Sequence, residues 1–276
     1  MRTAYDLAAR TLWAIDEGWL RTILEIAARE GEGPEAVAAK LGRPLQNARK
    51  VETRDGVAIV PITGPIFRRA NFLTEVSGAT SVEILARDFR AALDDPQIHA
   101  VILDVDSPGG QVDGIHEMAD MIREARRPER PIIAYVGSLA ASGAYWLASA
   151  ASEIRLDAMA RVGSIGVVLT VARPDPKESA RTIEIVSSQS PRKRMDLESD
   201  ADRAELQARV DELAGVMIGS IAQNRGTTPE AILEDFGGGG LRIGSSAVDK
   251  RMADSLSSLE RTIGDLAKSS LTIVMR

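Results

Sequence analysis

The chain has 276 residues, 44% of them hydrophobic, and a formal net charge of −6. That is enough apolar material for one or two packed domains, and the acidic balance gives no polybasic footprint for nucleic acid or anionic lipid. Cysteine is absent, which excludes disulfides, thiolate catalysis and zinc–cysteine sites.

Histidine chemistry has few candidates, His99 and His116. The first residues lack the basic-then-apolar pattern of a secretory signal. The most apolar long stretch, 137–152, is too short and too rich in Gly and Ser to span a bilayer. A soluble, intracellular protein without a membrane partner is expected.

Residues 3–30 read as a helix. Leu12, Trp13, Ile15, Trp19, Leu20, Ile23, Leu24 and Ile26 recur at roughly helical spacing, and Gly31 and Gly33 end the run. A second short helix, Pro34 to Leu41, stops at Gly42-Arg43-Pro44. Its faint helix-turn-helix pattern has little basic support, so residues 1–50 read as a helical packing or docking appendage. Val57 to Thr63 is a β-branched run expected to be a strand ending at Gly64-Pro65. Thr80 or Ser81 caps a helix through Leu93, with Val82, Leu85, Ala86, Phe89 and Leu93 on one face.

Ala100 to Val105 suits a buried parallel strand, broken at Ser107-Pro-Gly-Gly. A helix over 115–125 follows, then a strand from Pro131 to Val136. Ala144 to Ala151 reads as a buried helix, Ala151 to Leu156 as a strand, and 162–169 as another apolar piece. Strands alternating with helices argue for βαβ units and an α/β fold. Thr182 to Val186 precedes a polar, basic loop, Ser187 to Arg194, and 200–224 reads as a long amphipathic helix. Its apolar face (Leu206, Val210, Leu213, Ala214, Met217, Ile218, Ile221) could pack within the domain or against a second copy. Gly237 to Gly240 reads as a flexible loop, with a final helix or two behind it.

The chemistry centres on Gly137-Ser-Leu-Ala-Ala-Ser142-Gly143. Small neighbours let a substrate backbone approach the Ser142 hydroxyl. A following helix would offer free N–H groups and a positive dipole end to developing negative charge. On these residues alone Ser142 is either a nucleophile or a simple helix cap.

Three motifs then stand in order: Asp106-Ser-Pro-Gly-Gly110, the Ser142 stretch, and Gly163-Ser-Ile-Gly-Val167. Their order and spacing resemble the S49 peptidases, the signal peptide peptidase A family and its phage head-maturation relatives. The resemblance covers roughly residues 51–260. It implies the fold shared with Clp protease and crotonases, a spiral of ββα units. The boundaries expected are a helical appendage over 1–50, a peptidase domain over 51–265 and a tail over 266–276. Gly56-Val-Ala-Ile-Val-Pro-Ile-Thr-Gly-Pro-Ile and Ser188-Gln-Ser-Pro-Arg-Lys193 look more like the phage and prophage branch.

What the resemblance implies is a serine nucleophile with a lysine general base and no cofactor or metal. Ser142 matches the nucleophile, and Lys193, in a loop before a long helix, matches the base. Lys177 is the nearest rival, and Arg192 and Arg194 are poor bases because guanidinium stays protonated. A free lysine titrates at about 10.4, so Lys193 must be depressed by burial or positive neighbours before it can accept a proton. Gly143 and either Gly109 or Gly110 are the implied oxyanion donors, and Ser164 would orient the lysine. Two departures stand out: basic residues flank Lys193, and Lys250-Arg251 stands where relatives often place glycine.

A Clp-type serine–histidine–aspartate site is disfavoured because no histidine follows Ser142. A crotonase-like acyl-CoA enzyme needs no serine nucleophile. A non-catalytic capsid-assembly protein keeping the fold is the reading from another class. The resemblance favours an endopeptidase acting on capsid, scaffold or portal precursors. It would be a homo-oligomer in the bacterial cytoplasm or an assembling procapsid, with protein partners and no nucleic acid.

Overall fold

The computed structural model describes residues 12–15, 50–70, 78–169, 187, 189, 195–196 and 198–274. In chain order these form β1 (Leu12–Ile15), β2 (Glu52–Arg54), β3 (Val57–Thr63), β4 (Ile66–Phe67), β5 (Thr80–Ser81) and α1 (Val82–Asp94). Next come β6 (Ala100–Ser107), β7 (Gly109–Gln111), α2 (Ile115–Glu124), β8 (Ile132–Ala141), α3 (Gly143–Ser149) and β9 (Glu153–Leu156). The last are β10 (Arg161–Gly163), β11 (Val168–Leu169), α4 (Asp200–Arg225), α5 (Pro229–Asp235), β12 (Leu241–Ile243), α6 (Gly244–Asp249), β13 (Ser255–Leu256) and α7 (Leu259–Val274).

The main sheet has the order β12-β10-β8-β6-β3-β2. Its centre is parallel: β3 pairs with β6 from Val57↔Ala100 to Thr63↔Asp106, and β6 pairs with β8 from Val101↔Ile132 onward. The first half of β8 pairs with β9 and its end pairs with β10, both in parallel.

Alternation along these strands separates two cores. Val60, Ile62, Leu103, Val105, Ala134 and Val136 pack on one face against Leu85, Phe89, Met118, Ile122 and Trp146 from α1, α2 and α3. Val57, Ile59, Ile102, Ile133 and Tyr135 pack on the other against Ile263 and Leu266 of α7. Burial on both faces is why the central strands read as near-continuous apolar runs, with Asp104 and Asp106 of β6 as the interruptions. This is the α/β fold with parallel ββα units that the motifs implied.

Helix α1 starts where expected, with the Ser81 side chain accepting from Ile84 N–H. Strand β8 runs on past Val136 to Ala141, directly up to Ser142. Helix α7 continues through the residues expected to form a tail.

Two expectations need correction. Leu12–Ile15 is a strand rather than part of a helix: it pairs antiparallel with β7 and with β11. Non-local strand partners override the local helical spacing there. The rest of 3–30, the helix over 34–41 and the strand over 182–186 lie outside the described residues. The glycine run is a defined turn rather than a slack loop: Gly240 N–H donates to Gly237 O at 2.9 Å, and Gly240 O accepts from Ser164 N–H at 2.8 Å. No helix among the described residues is long and apolar enough to cross a membrane.

Candidate active site

The parallel strands deliver their C-terminal ends to one place, the usual location of sites in open α/β sheets. Strand β6 ends at Ser107, β3 ends beside Gly64, and β8 ends at Ala141. The Ser107 hydroxyl donates to Gly64 O at 2.6 Å and accepts from Gly109 N–H at 3.2 Å, fixing the turn between β6 and β7.

Ser142 is the single residue between β8 and α3, 1% exposed, with φ 53° and ψ −118°. That backbone combination is usually left to glycine and costs about 1–3 kcal/mol. It is the sharp strand-to-helix turn that pushes a side chain out of a sheet end. Ser142 occupies the N-cap position of α3, yet its side chain makes no cap hydrogen bond. The hydroxyl instead donates to Gly166 O at 3.2 Å. The simple-cap reading therefore does not describe this serine. With only seven residues in α3, discrete first-turn N–H groups such as that of Gly143 matter more here than a long macrodipole.

The Gly163-Ser-Ile-Gly166 segment holds the turn through its main chain. Ser142 N–H donates to Gly163 O at 2.7 Å, and Gly166 O receives the hydroxyl. Gly163 itself has φ 132°, and a Cβ there would lie 2.4 Å from Gly240 O. Ser164 also takes a left-handed conformation, φ 51°.

Gly109 and Gly110 form the opposite wall. A Cβ on Gly110 would sit 1.9 Å from Ile66 O, and one on Gly109 would sit 3.0 Å from Gly143 N. Both positions need a residue without a side chain. The Gly109 N–H donates to Ser107 Oγ, and Gly110 is paired with Ala14 of β1 on one side and with Ile66 of β4 on the other.

Behind the serine, α3 is fully buried and tied down by side chains. Trp146 Nε1 donates to Ser220 Oγ at 2.7 Å, and Asn224 Nδ2 donates to Ser149 Oγ at 3.0 Å. Tyr145 donates to Met252 O at 2.9 Å; complete burial pushes its pKa well above the ordinary phenol value, so it stays a neutral donor. Arg126 closes the far end of α3, donating to Ala150 O at 2.8 Å and Ser149 O at 3.0 Å. Burial, then Arg225 nearby, lowers its pKa from the usual guanidinium value.

Ser142, Gly143, Gly109, Gly110 and Ser164 are thus brought to one sheet end. Lys193, Lys177, Arg192 and Arg194 lie outside the described residues. His116 pairs with Asp120 at 3.2 Å and stacks edge-on to Trp146. His99 packs against Gly56, just before β6 and so at the opposite end of the strands. The carbonyls of Gly163 and Gly166 are functional groups that side-chain reasoning missed; the spacing of two glycines around Ser164 was their only trace.

Residues 124–272 match the family model described as Peptidase family S49. The chain is 28% identical to capsid assembly protease C of Escherichia phage lambda, over 76% of this chain and 48% of that protein. It is 37% identical to head-tail preconnector protein GP5 of Enterobacteria phage P21, over 45% of this chain and 24% of that protein. Protease 4 of Haemophilus influenzae is 34% identical over 40% of this chain and 17% of its own length. The chain spans about half or less of the length of these curated relatives. With the three motifs gathered at one sheet end and more than half of its residues matching the family model, this chain belongs to peptidase family S49.

Proposed function

We propose that this chain is a serine endopeptidase in which Ser142 is the nucleophile and Lys193 the general base. The observation that carries this reading is the strained turn that presents a buried Ser142 whose hydroxyl does not cap its helix. In the reaction Lys193 takes the Ser142 proton as Oγ attacks the scissile carbonyl carbon. Gly143 N–H and the N–H of Gly109 or Gly110 receive the oxyanion, the protonated lysine returns its proton to the leaving amine, and water then releases the acyl group from Ser142. Ser164 orients the lysine. Substrates are phage or prophage capsid, scaffold or portal precursors, a choice supported by similarity to capsid assembly protease C and the head-tail preconnector protein.

The working form is a homo-oligomer. Met217 and Ile221 of α4 are buried within the domain, whereas Leu206, Val210, Leu213 and Ala214 remain half-buried, leaving the first half of that face for a second copy. Light scattering is expected to show an assembly; a fully active monomer at micromolar concentration would contradict it.

Purified chain is incubated with candidate virion proteins beside Ser142→Ala, and cleavage is mapped by mass spectrometry. Cleavage by the wild type alone is expected. Activity rises with pH because only the neutral amine accepts the proton. Lys193→Arg is as damaging as Lys193→Ala, since arginine keeps the charge but does not deprotonate. An active Lys193→Arg protein would remove the dyad, and an inactive Lys177→Ala protein, folded by circular dichroism, would move the base to Lys177.

A further inference from the structure

Strand β1 lies in the second sheet, whose order is β11-β1-β7-β4-β5. Strands β7 and β11 face each other across the width of one strand, and Leu12–Ile15 fills the gap. On one side Trp13, Ala14 and Ile15 pair antiparallel with Gln111, Gly110 and Gly109. On the other, Leu12 and Trp13 pair with Leu169 and Val168. Both rails belong to the site: β7 carries the glycine wall, and β11 follows directly on the segment whose Gly163 and Gly166 carbonyls hold Ser142.

The register brings one carbonyl to the donors. Ala14 O would lie 2.2 Å from a Cβ on Gly109 and 3.3 Å from one on Gly143. It therefore sits against both backbone walls, one residue from Ser142. The Ala14 side chain is fully buried and Ile15 is 4% exposed. An extended chain between two open strand edges, with main-chain pairing on both sides and a small residue beside the nucleophile, is how a peptide is received by strand addition.

We infer that Leu12–Ile15 occupies the substrate cleft of its own chain, as a substrate-like strand that protein substrates must displace. The inference rests on the reading of Ser142 as the nucleophile, and it adds that the cleft takes an extended peptide with a small residue at the Ala14 position. Access to the cleft is then competitive: the fraction of molecules with β1 lifted out limits the apparent affinity for any other peptide.

The absence of cysteine gives a direct test in the full-length chain. Trp13→Cys with Gln111→Cys, and separately Leu12→Cys with Leu169→Cys, join direct strand partners on the two rails. Mild oxidation is expected to form an intramolecular disulfide in at least one pair, while the register-shifted pair Leu12→Cys with Gln111→Cys stays reduced. Binding of a fluorescein-labelled Thr-Leu-Trp-Ala-Ile-Asp peptide is then measured by anisotropy in a Ser142→Ala background, where no cleavage intervenes. Reduction is expected to tighten binding at least about tenfold relative to the oxidised form, because the locked strand removes the competent fraction. Failure of both matched pairs to cross-link, or equal peptide binding by the oxidised and reduced forms, would overturn the inference. Hydrolysis of the same peptide by cysteine pairs retaining Ser142 is scored separately: its absence, with reduction-dependent binding intact, contradicts the peptidase reading alone.

Discussion

The two ends of α3 are built from different materials. At its N-terminal end the Ser142 turn is held by main chain: Gly163 O, Gly166 O and the glycine wall of β7. At its C-terminal end the helix is held by side chains: Arg126, Asn224 and the Trp146–Ser220 pair. The contrast separates two tasks. Main-chain groups fixed by close packing hold the hydroxyl proposed as the nucleophile with little freedom. Side-chain bonds in a buried, partly polar seam contribute stability and exclude the alternatives that would leave those groups unpaired.

The largest effect on activity is expected at the main-chain end. Gly163→Ala places a Cβ 2.4 Å from Gly240 O at a φ of 132°, so the segment must shift and move the carbonyl that holds Ser142 N–H. Cleavage rate is expected to fall by about a hundredfold, on the scale of a small misplacement at a reacting centre. A steady-state assay beside circular dichroism checks this, and near-wild-type turnover would show that the backbone clamp is dispensable.

Arg126→Met is expected to act at the other end and on stability. It strips the guanidinium from the Ala150 and Ser149 carbonyls and should cost about 2–3 kcal/mol, read from the denaturant midpoint, while reactivity of Ser142 at low temperature is retained. Ser220→Ala leaves the buried Trp146 Nε1 without its acceptor and should cost about 1–3 kcal/mol by the same measurement. The smallest effect is expected at Gly238→Ala. Its φ is 54° but no described residue lies within 4 Å of a Cβ there, so the cost is about 1 kcal/mol of left-handed backbone, with cleavage unchanged.

The sequence made the strands and the Ser142 turn more legible than the groups that hold the two ends of α3. Val57–Thr63, the first residues of Ala100–Ser107 and the first half of β8 announce themselves because both faces are buried and most residues there are apolar or small. Ser142 was legible as the residue between a strand and a helix. The strand at Leu12–Ile15 was not, because its partners lie in β7 and β11, far along the chain, and local spacing carries no record of them. Carbonyl acceptors such as Gly163 O leave no mark on residue identity beyond the glycine that lets the chain approach. The Gly237–Gly240 turn was misjudged as slack for the same reason: its task is to offer one carbonyl to Ser164.

The most direct measurement is covalent labelling with a fluorophosphonate, followed by peptide mass spectrometry of the modified residue. The proposed role of Ser142 as nucleophile predicts a single adduct on that residue, formed faster as pH rises, with both label and proteolysis lost in Ser142→Ala. An adduct on another serine, or a Ser142→Ala chain that cleaves at the wild-type rate, would contradict it.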